Sequence, residues 1–291
     1  MSHIVRLLLL VIALSTCGSA DPIGTSRAAI AQGATDPLVS GVVAVVDTTR
    51  GTFCTGVLAT KRVVLTARHC VAPIVNGPII DCKRTSFGPV SEPSAVHVLT
   101  TDDSAVPTRR HDVVRVIAPD DPSFCGADLV ALVLETPIED ATPLVLRTER
   151  DVEMAEPFAA IGFGRDGGDA PSGTRRRRDD LRVSCVGRSC LSGQITDQEW
   201  WGEGAVCEGD SGGPALDAQG RVIGIASRKR DECSATVYLD LARSAPFIAS
   251  ALGEALQTPG PSEGCQTGSS GPSLAAALVI LLLTRAAARW R

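Results

Sequence analysis

A chain of 291 residues with a formal net charge of -5 and a sequence pI near 5.4 offers no electrostatic basis for holding nucleic acid. Its length suits one large all-β unit or two small lobes, with ample material for a buried core. Aromatic residues make up only 3 % of the chain against 28 glycines and 18 prolines, which favours short strands joined by turns over long helices.

Residues 1–20 read as an export signal, with Arg6, the apolar run Leu7 to Leu14, and Gly18-Ser19-Ala20 as a small-residue cleavage site. A competing reading is a lipoprotein box, Leu14-Ser15-Thr16-Cys17, in which Thr stands where a smaller residue is usual before the Cys. After the short segment 21–29, β-like runs recur: Val42 to Val46, Arg62 to Leu65, Ala95 to Leu99, Val113 to Ile117 and Leu129 to Leu134. Four more follow at Phe158 to Ile161, Leu181 to Ser184, Arg221 to Ile225 and Thr236 to Leu239. Gly, Pro, Asp and Ser separate them, the pattern of an all-β sandwich or barrel.

The basic run Arg175 to Arg178 is followed at once by Asp179 and Asp180 and reads as a solvated loop or strand start. Asp217-Ala218-Gln219-Gly220 reads as a hairpin turn. One helix is expected late, capped by Ser244, with Phe247, Ile248, Ala251, Leu252 and Leu256 on one face. A Pro, Gly and Ser-rich linker spans 257–272, and the tail 273–291 holds the apolar Leu274 to Leu283 followed by arginines.

Ten cysteines without a paired C-x-x-C spacing point to disulfides in an oxidising compartment and away from structural zinc, so no metal is expected.

Three strings carry chemistry. In Gly209-Asp210-Ser211-Gly212-Gly213-Pro214 the flanking glycines let the backbone turn sharply, expose the Ser211 hydroxyl, and aim the amides of Gly209 and Ser211 at one point. In Leu65-Thr66-Ala67-Arg68-His69-Cys70 a histidine follows the end of a β run, where the adjacent cysteine can pin its loop. His97 and His111 alternate with apolar neighbours and read as ordinary packed or surface histidines. In Cys125-Gly126-Ala127-Asp128-Leu129 a single acid opens a nearly continuous apolar strand, so its carboxylate needs a partner such as an imidazole N–H.

These strings, in the order His, Asp, Ser, resemble the trypsin-like, chymotrypsin-fold serine peptidases over about Ile30 to Leu256. The resemblance implies two antiparallel six-stranded β-barrels, lobes of about 30–137 and 138–256, with the active site between them and a C-terminal helix. It implies a serine endopeptidase with His69, Asp128 and Ser211 as its triad and Gly209 and Ser211 as oxyanion hole. Protein or peptide substrates and no cofactor follow. It also implies bridges Cys54–Cys70 and Cys207–Cys233; Cys82, Cys125, Cys185 and Cys190 are left, with Cys82–Cys125 and Cys185–Cys190 one of their possible pairings.

Family members are usually made as zymogens, so residues 21–29 read as a propeptide removed by an activating protease between Ala29 and Ile30. The new amine at Ile30 would then pair with Asp210. Ala31 and Gln32 depart from the usual mature start, and Arg27 allows a cut followed by trimming. The implied substrate pocket comprises Ala205, Val206, Glu208, Ser227, Lys229 and Thr236. Ala205 stands where trypsins carry an acid, so small or apolar side chains are expected before the scissile bond, with an acidic preference through Lys229 as the alternative. Gly264-Cys265 and the apolar tail resemble myxobacterial surface-sorting tags, with Cys265 as a processing or lipidation point and envelope attachment as the consequence. Two rival functions remain: a catalytically silent binding scaffold on the same fold, and an esterase or other acyl transferase using the same triad.

Overall fold

The computed structural model describes residues 30, 33–36, 38–77, 79–101, 109–164, 173–190, 194–204, 206–229 and 233–260. The expected export signal and propeptide, Ala31, Gln32, Ala205, most of the linker, Cys265 and the apolar tail lie outside them. In the first half run β1 (Ala34–Thr35), β2 (Val42–Asp47), β3 (Thr52–Thr60), β4 (Val63–Thr66), β5 (Ile74–Val75), β6 (Ser86–Phe87), β7 (Val96–Thr100), β8 (Arg109–Ile117) and β9 (Val130–Leu134). The second half contains β10 (Pro157–Gly162), β11 (Arg176–Val186), β12 (Glu199–Glu203), β13 (Pro214–Leu216), β14 (Val222–Lys229), β15 (Ala235–Asp240) and the helix α1 (Ala245–Gln257).

Both halves close into six-stranded antiparallel barrels. The first runs β2-β3-β4-β9-β8-β7. The second runs β11-β10-β13-β14-β15-β12 and returns to β11, with β1 added along the outer edge of β11. Strand β9 shows how the two are joined. All five of its residues are buried, because Val130, Leu132 and Leu134 fill the first barrel while Ala131 and Val133 turn toward the second. There they meet Ile161, Leu216 and Ile225, and Ile248 of α1 joins the same cluster. Each buried Val, Leu or Ile side chain contributes about 1.5–3 kcal/mol by leaving water. The second barrel is filled by Phe158, Trp200 and Tyr238, the last two stacked at 4.3 Å between ring centroids.

Strand β3 has no clear sequence signature, since Gly56 interrupts it. The structure gives the reason: a Cβ at Gly56 would sit 2.7 Å from Val64 and 2.9 Å from Val45, so the strands on either side leave room only for hydrogen. Two expectations for α1 are corrected. Ser244 makes no side-chain capping bond: at φ -90° and ψ 0° it lacks the extended backbone of a capping residue, and Pro246 offers no N–H. The buried stripe runs Ile248, Ala251, Ala255, which turns the neighbouring Leu256 out to 89 % exposure. The basic run is also corrected at its first member. Arg175 is buried, its guanidinium donating to the carbonyls of Asp36 at 2.8 Å and Thr101 at 3.1 Å, while Arg176–Arg178 open strand β11.

Four disulfides join Cys54–Cys70, Cys82–Cys125, Cys185–Cys190 and Cys207–Cys233. This set fits an extracellular protein. Among the described residues no helix is long and apolar enough to cross a membrane.

Candidate active site

The first barrel supplies the imidazole. Past the end of β4 the chain makes a single 3-10 turn, Arg68–Cys70, which the Cys54–Cys70 bridge ties back to β3. His69 Nδ1 lies 2.8 Å from Asp128 Oδ2, and the His69 backbone N–H donates to Asp128 Oδ1 at 2.9 Å. Asp128, just before β9, is fully buried. The Ser227 hydroxyl, from β14 of the second barrel, donates to Asp128 Oδ2 at 2.6 Å. Three donors thus converge on one buried carboxylate and offset its desolvation. Because an ionised carboxylate only accepts, the arrangement selects the His69 tautomer that carries its proton on Nδ1 and leaves Nε2 as a free base.

Ser211 comes from the loop between Cys207 and β13. Gly209 and Gly212 adopt φ of +97° and +83°, conformations that side chains disfavour, and a Cβ on Gly212 would fall 2.1 Å from the Thr55 carbonyl oxygen. Ser211 and His69 line one cavity of about 310 Å³ with Glu208 and Gly209. Among the described residues no hydrogen bond joins the Ser211 hydroxyl to the imidazole, and the amides of Gly209 and Ser211 donate to no other protein group.

Asp210 points the opposite way, into the second barrel. Its Oδ1 accepts the Gly164 N–H at 2.6 Å, and its Oδ2 accepts from Cys207 at 2.9 Å and Ile30 at 3.4 Å. Burial pushes its carboxyl up to about 6 against these amide donors, which hold it down. The glycines at 162 and 164 make room for it, since a Cβ on either would lie within 2.4 Å of the carboxylate. Ile30 is itself completely buried.

The remaining residues expected to line a substrate pocket differ in exposure. Val206, Ser227 and Thr236 are buried, Glu208 is exposed, and exposed Lys229 brings its ammonium 4.0 Å from Cys233 Sγ. Arg228 is mostly covered, its guanidinium bound to the fully buried Glu199 at 2.5 Å and lying over the Phe124 ring. Phe124 in turn stacks at 6.1 Å on the His69 ring. Cys54, His69 and Cys70 come within 4.8 Å of one another, but both sulfurs are spent in the disulfide and offer no thiolate to a metal.

Ser227's link to Asp128, Phe124 beside the imidazole and Glu199 beneath Arg228 were not readable in the sequence. Each joins residues far apart in the chain, the first across the two barrels, the second within the first half and the third within the second barrel.

The family described as Trypsin matches residues 30–248. This chain belongs to the trypsin family. A crystal structure similar to this trypsin-family chain is that of the scabies mite inactivated protease paralogue S-D1, with TM-score 0.62 and 18 % identity over 77 % of this chain and 97 % of that one. At that identity the likeness speaks for the fold alone. No curated protein matches this trypsin-family chain significantly. Membership itself points to the serine peptidases as a class.

Proposed function

We propose that this trypsin-family protein is a serine endopeptidase that works through an acyl-enzyme. The observation carrying the reading is the Ser227–Asp128–His69 chain of hydrogen bonds beside the cavity that His69 shares with Ser211. Nε2 of His69 takes the Ser211 proton as Oγ adds to the scissile carbonyl, and Asp128 holds the resulting imidazolium. The amides of Gly209 and Ser211 receive the negative oxygen. His69 then gives its proton to the leaving amine, and water repeats the cycle on the ester.

Activation is by cleavage between Ala29 and Ile30. Ile30 has φ of +33°, a conformation that costs a β-branched residue about 1–3 kcal/mol and that cutting its preceding peptide would release. The new ammonium would replace a neutral amide at Asp210. Side chains accepted before the scissile bond are small or apolar, supported by the buried Val206 and Thr236. The protein is exported and stays on the cell envelope through its C-terminal tail.

A peptide library, incubated with protein starting at Ile30 and with its Ser211→Ala counterpart, tests the reading. Cleavage after small or apolar residues, lost in the variant, is expected; cleavage after Asp or Glu moves the specificity to Lys229. Ester turnover without peptide turnover would favour the esterase reading. Folded protein with a free Ile30 amine and no turnover would instead make it a binding scaffold.

A further inference from the structure

We infer that Thr55, on β3 of the first barrel, is a positioning residue that keeps the oxyanion-binding loop of the second barrel in shape. This rests on the serine-peptidase reading above. Thr55 is fully buried and all of its polar groups are engaged across the barrel boundary or beside it. Its hydroxyl donates to the Gly209 carbonyl at 2.9 Å and accepts the Phe163 N–H at 3.0 Å. The Thr55 N–H donates to the Ser211 carbonyl at 2.8 Å, and its own carbonyl accepts the Thr66 hydroxyl at 2.7 Å.

The two carbonyls held this way flank Asp210. A glycine puts up little steric resistance to turning about its own bonds, so Gly209 at φ +97° needs outside groups to keep its amide aimed. Inside the loop, Asp210 supplies one such anchor. The Thr55 hydroxyl supplies another and links the two, because Phe163 precedes Gly164, whose N–H holds Asp210 Oδ1 at 2.6 Å. One hydroxyl therefore fixes both the Gly209 carbonyl and the strand end that seats Asp210. The side chain is also limited in size: a Cβ built on Gly213 would be 3.2 Å from the Thr55 methyl, so the loop is packed against this residue.

Thr55→Val keeps the shape and removes the hydroxyl, leaving the Gly209 carbonyl and the Phe163 amide without a partner in a buried place. With protein starting at Ile30, kcat on a peptide substrate is expected to fall roughly 10- to 100-fold while KM changes far less, the split of an interaction made mainly in the transition state. Affinity for a peptide trifluoromethyl ketone should fall by a similar factor. In that complex Ser211 Oγ adds to the ketone, its proton passes to His69, and the ketone oxygen becomes an oxyanion at the same amides. Thr55→Ser should restore most of both. If the valine variant does not fold, Thr55→Ala, which keeps the backbone links, carries the same expectation.

A folded Thr55→Val with unchanged kcat and ketone affinity overturns the inference alone, as does an equal loss in Thr55→Ser. Folded wild-type protein that neither cleaves peptides nor binds the ketone overturns the serine-peptidase reading and this inference with it.

Discussion

The backbone N–H of Ile30 lies 3.4 Å from Oδ2 of Asp210, 180 residues further along the chain. Burial raises the Asp210 carboxyl from an ordinary 3.8 to about 6, so the folded chain keeps this proton over a range where the unfolded chain has released it. Stability from Asp210 is therefore full below about pH 4 and lost as pH rises to about 6. Glu156 and Asp217 run the other way. Burial opposes their ionisation, but hydrogen bonds from Arg147 and from the Arg221 amide respectively win and hold both carboxyls low, so their contribution is lost as pH falls. Thermal midpoints across this range for a chain extending upstream of Ile30, compared with its Asp210→Asn variant, isolate the first effect. The difference between the two should change over that window, and it should flatten in protein starting at Ile30 if the new ammonium pairs with the carboxylate as proposed. A pH-independent difference in the longer chain would contradict the assignment.

Asp128 accepts from His69 and Ser227 on the same oxygen, at 2.8 and 2.6 Å. Asp128→Asn can offer an N–H to the imidazole and select the wrong tautomer, so kcat should fall by about 10⁴ while the fold survives. Ser227→Ala removes one of three donors and should cost much less, about tenfold. Steady-state kinetics on a peptide identified by library cleavage decide this; equal losses would mean that Ser227 acts on more than the carboxylate.

Glu199 is wholly buried beneath Arg228. Removing the cation alone, as in Arg228→Leu, strands that charge and should destabilise the protein by about 3–5 kcal/mol in urea unfolding. Glu199→Met with Arg228→Leu should recover much of the loss, because both members of the pair go together. A double variant as unstable as the sum of the singles would refute the pairing.

Arg147 is 1 % exposed between Glu156 at 2.5 Å and Asp217 at 3.3 Å. Asp217 also accepts the amides of Gln219 and Arg221, shaping the turn between β13 and β14. Arg147→Met should lower the urea midpoint strongly without changing the KM of the active enzyme, since the cluster lies away from the His69 cavity. A raised KM with unchanged stability would be the contrary result.

Much of the fold was legible because its strands are short, nearly continuous apolar runs rich in β-branched residues and bounded by turn residues, as Val42 to Val46 and Val113 to Ile117 are. Strand β12 was not, since Glu199-Trp200-Trp201-Gly202-Glu203 has a buried acid where an apolar residue would mark the pattern. The acid is tolerated only because Arg228, 29 residues later, closes over it. Leu256 shares the apolar spacing of α1 yet lies exposed for a related reason: helical spacing gives a stripe, but the surface that receives it sets which edge of the stripe is covered.

By itself the sequence determined the all-β architecture and the short motifs around His69, Asp128 and Ser211. These are local properties, written in periodicity and in neighbours a few residues apart. The closing of two barrels decided the rest: the carboxylate shared by His69 and Ser227, the burial of Asp210 among amides from three segments, and the grip of Thr55 on the loop that carries Ser211. A hydrogen bond between distant residues depends on angstrom-scale register across the whole packed core, and no stretch of sequence contains that register alone.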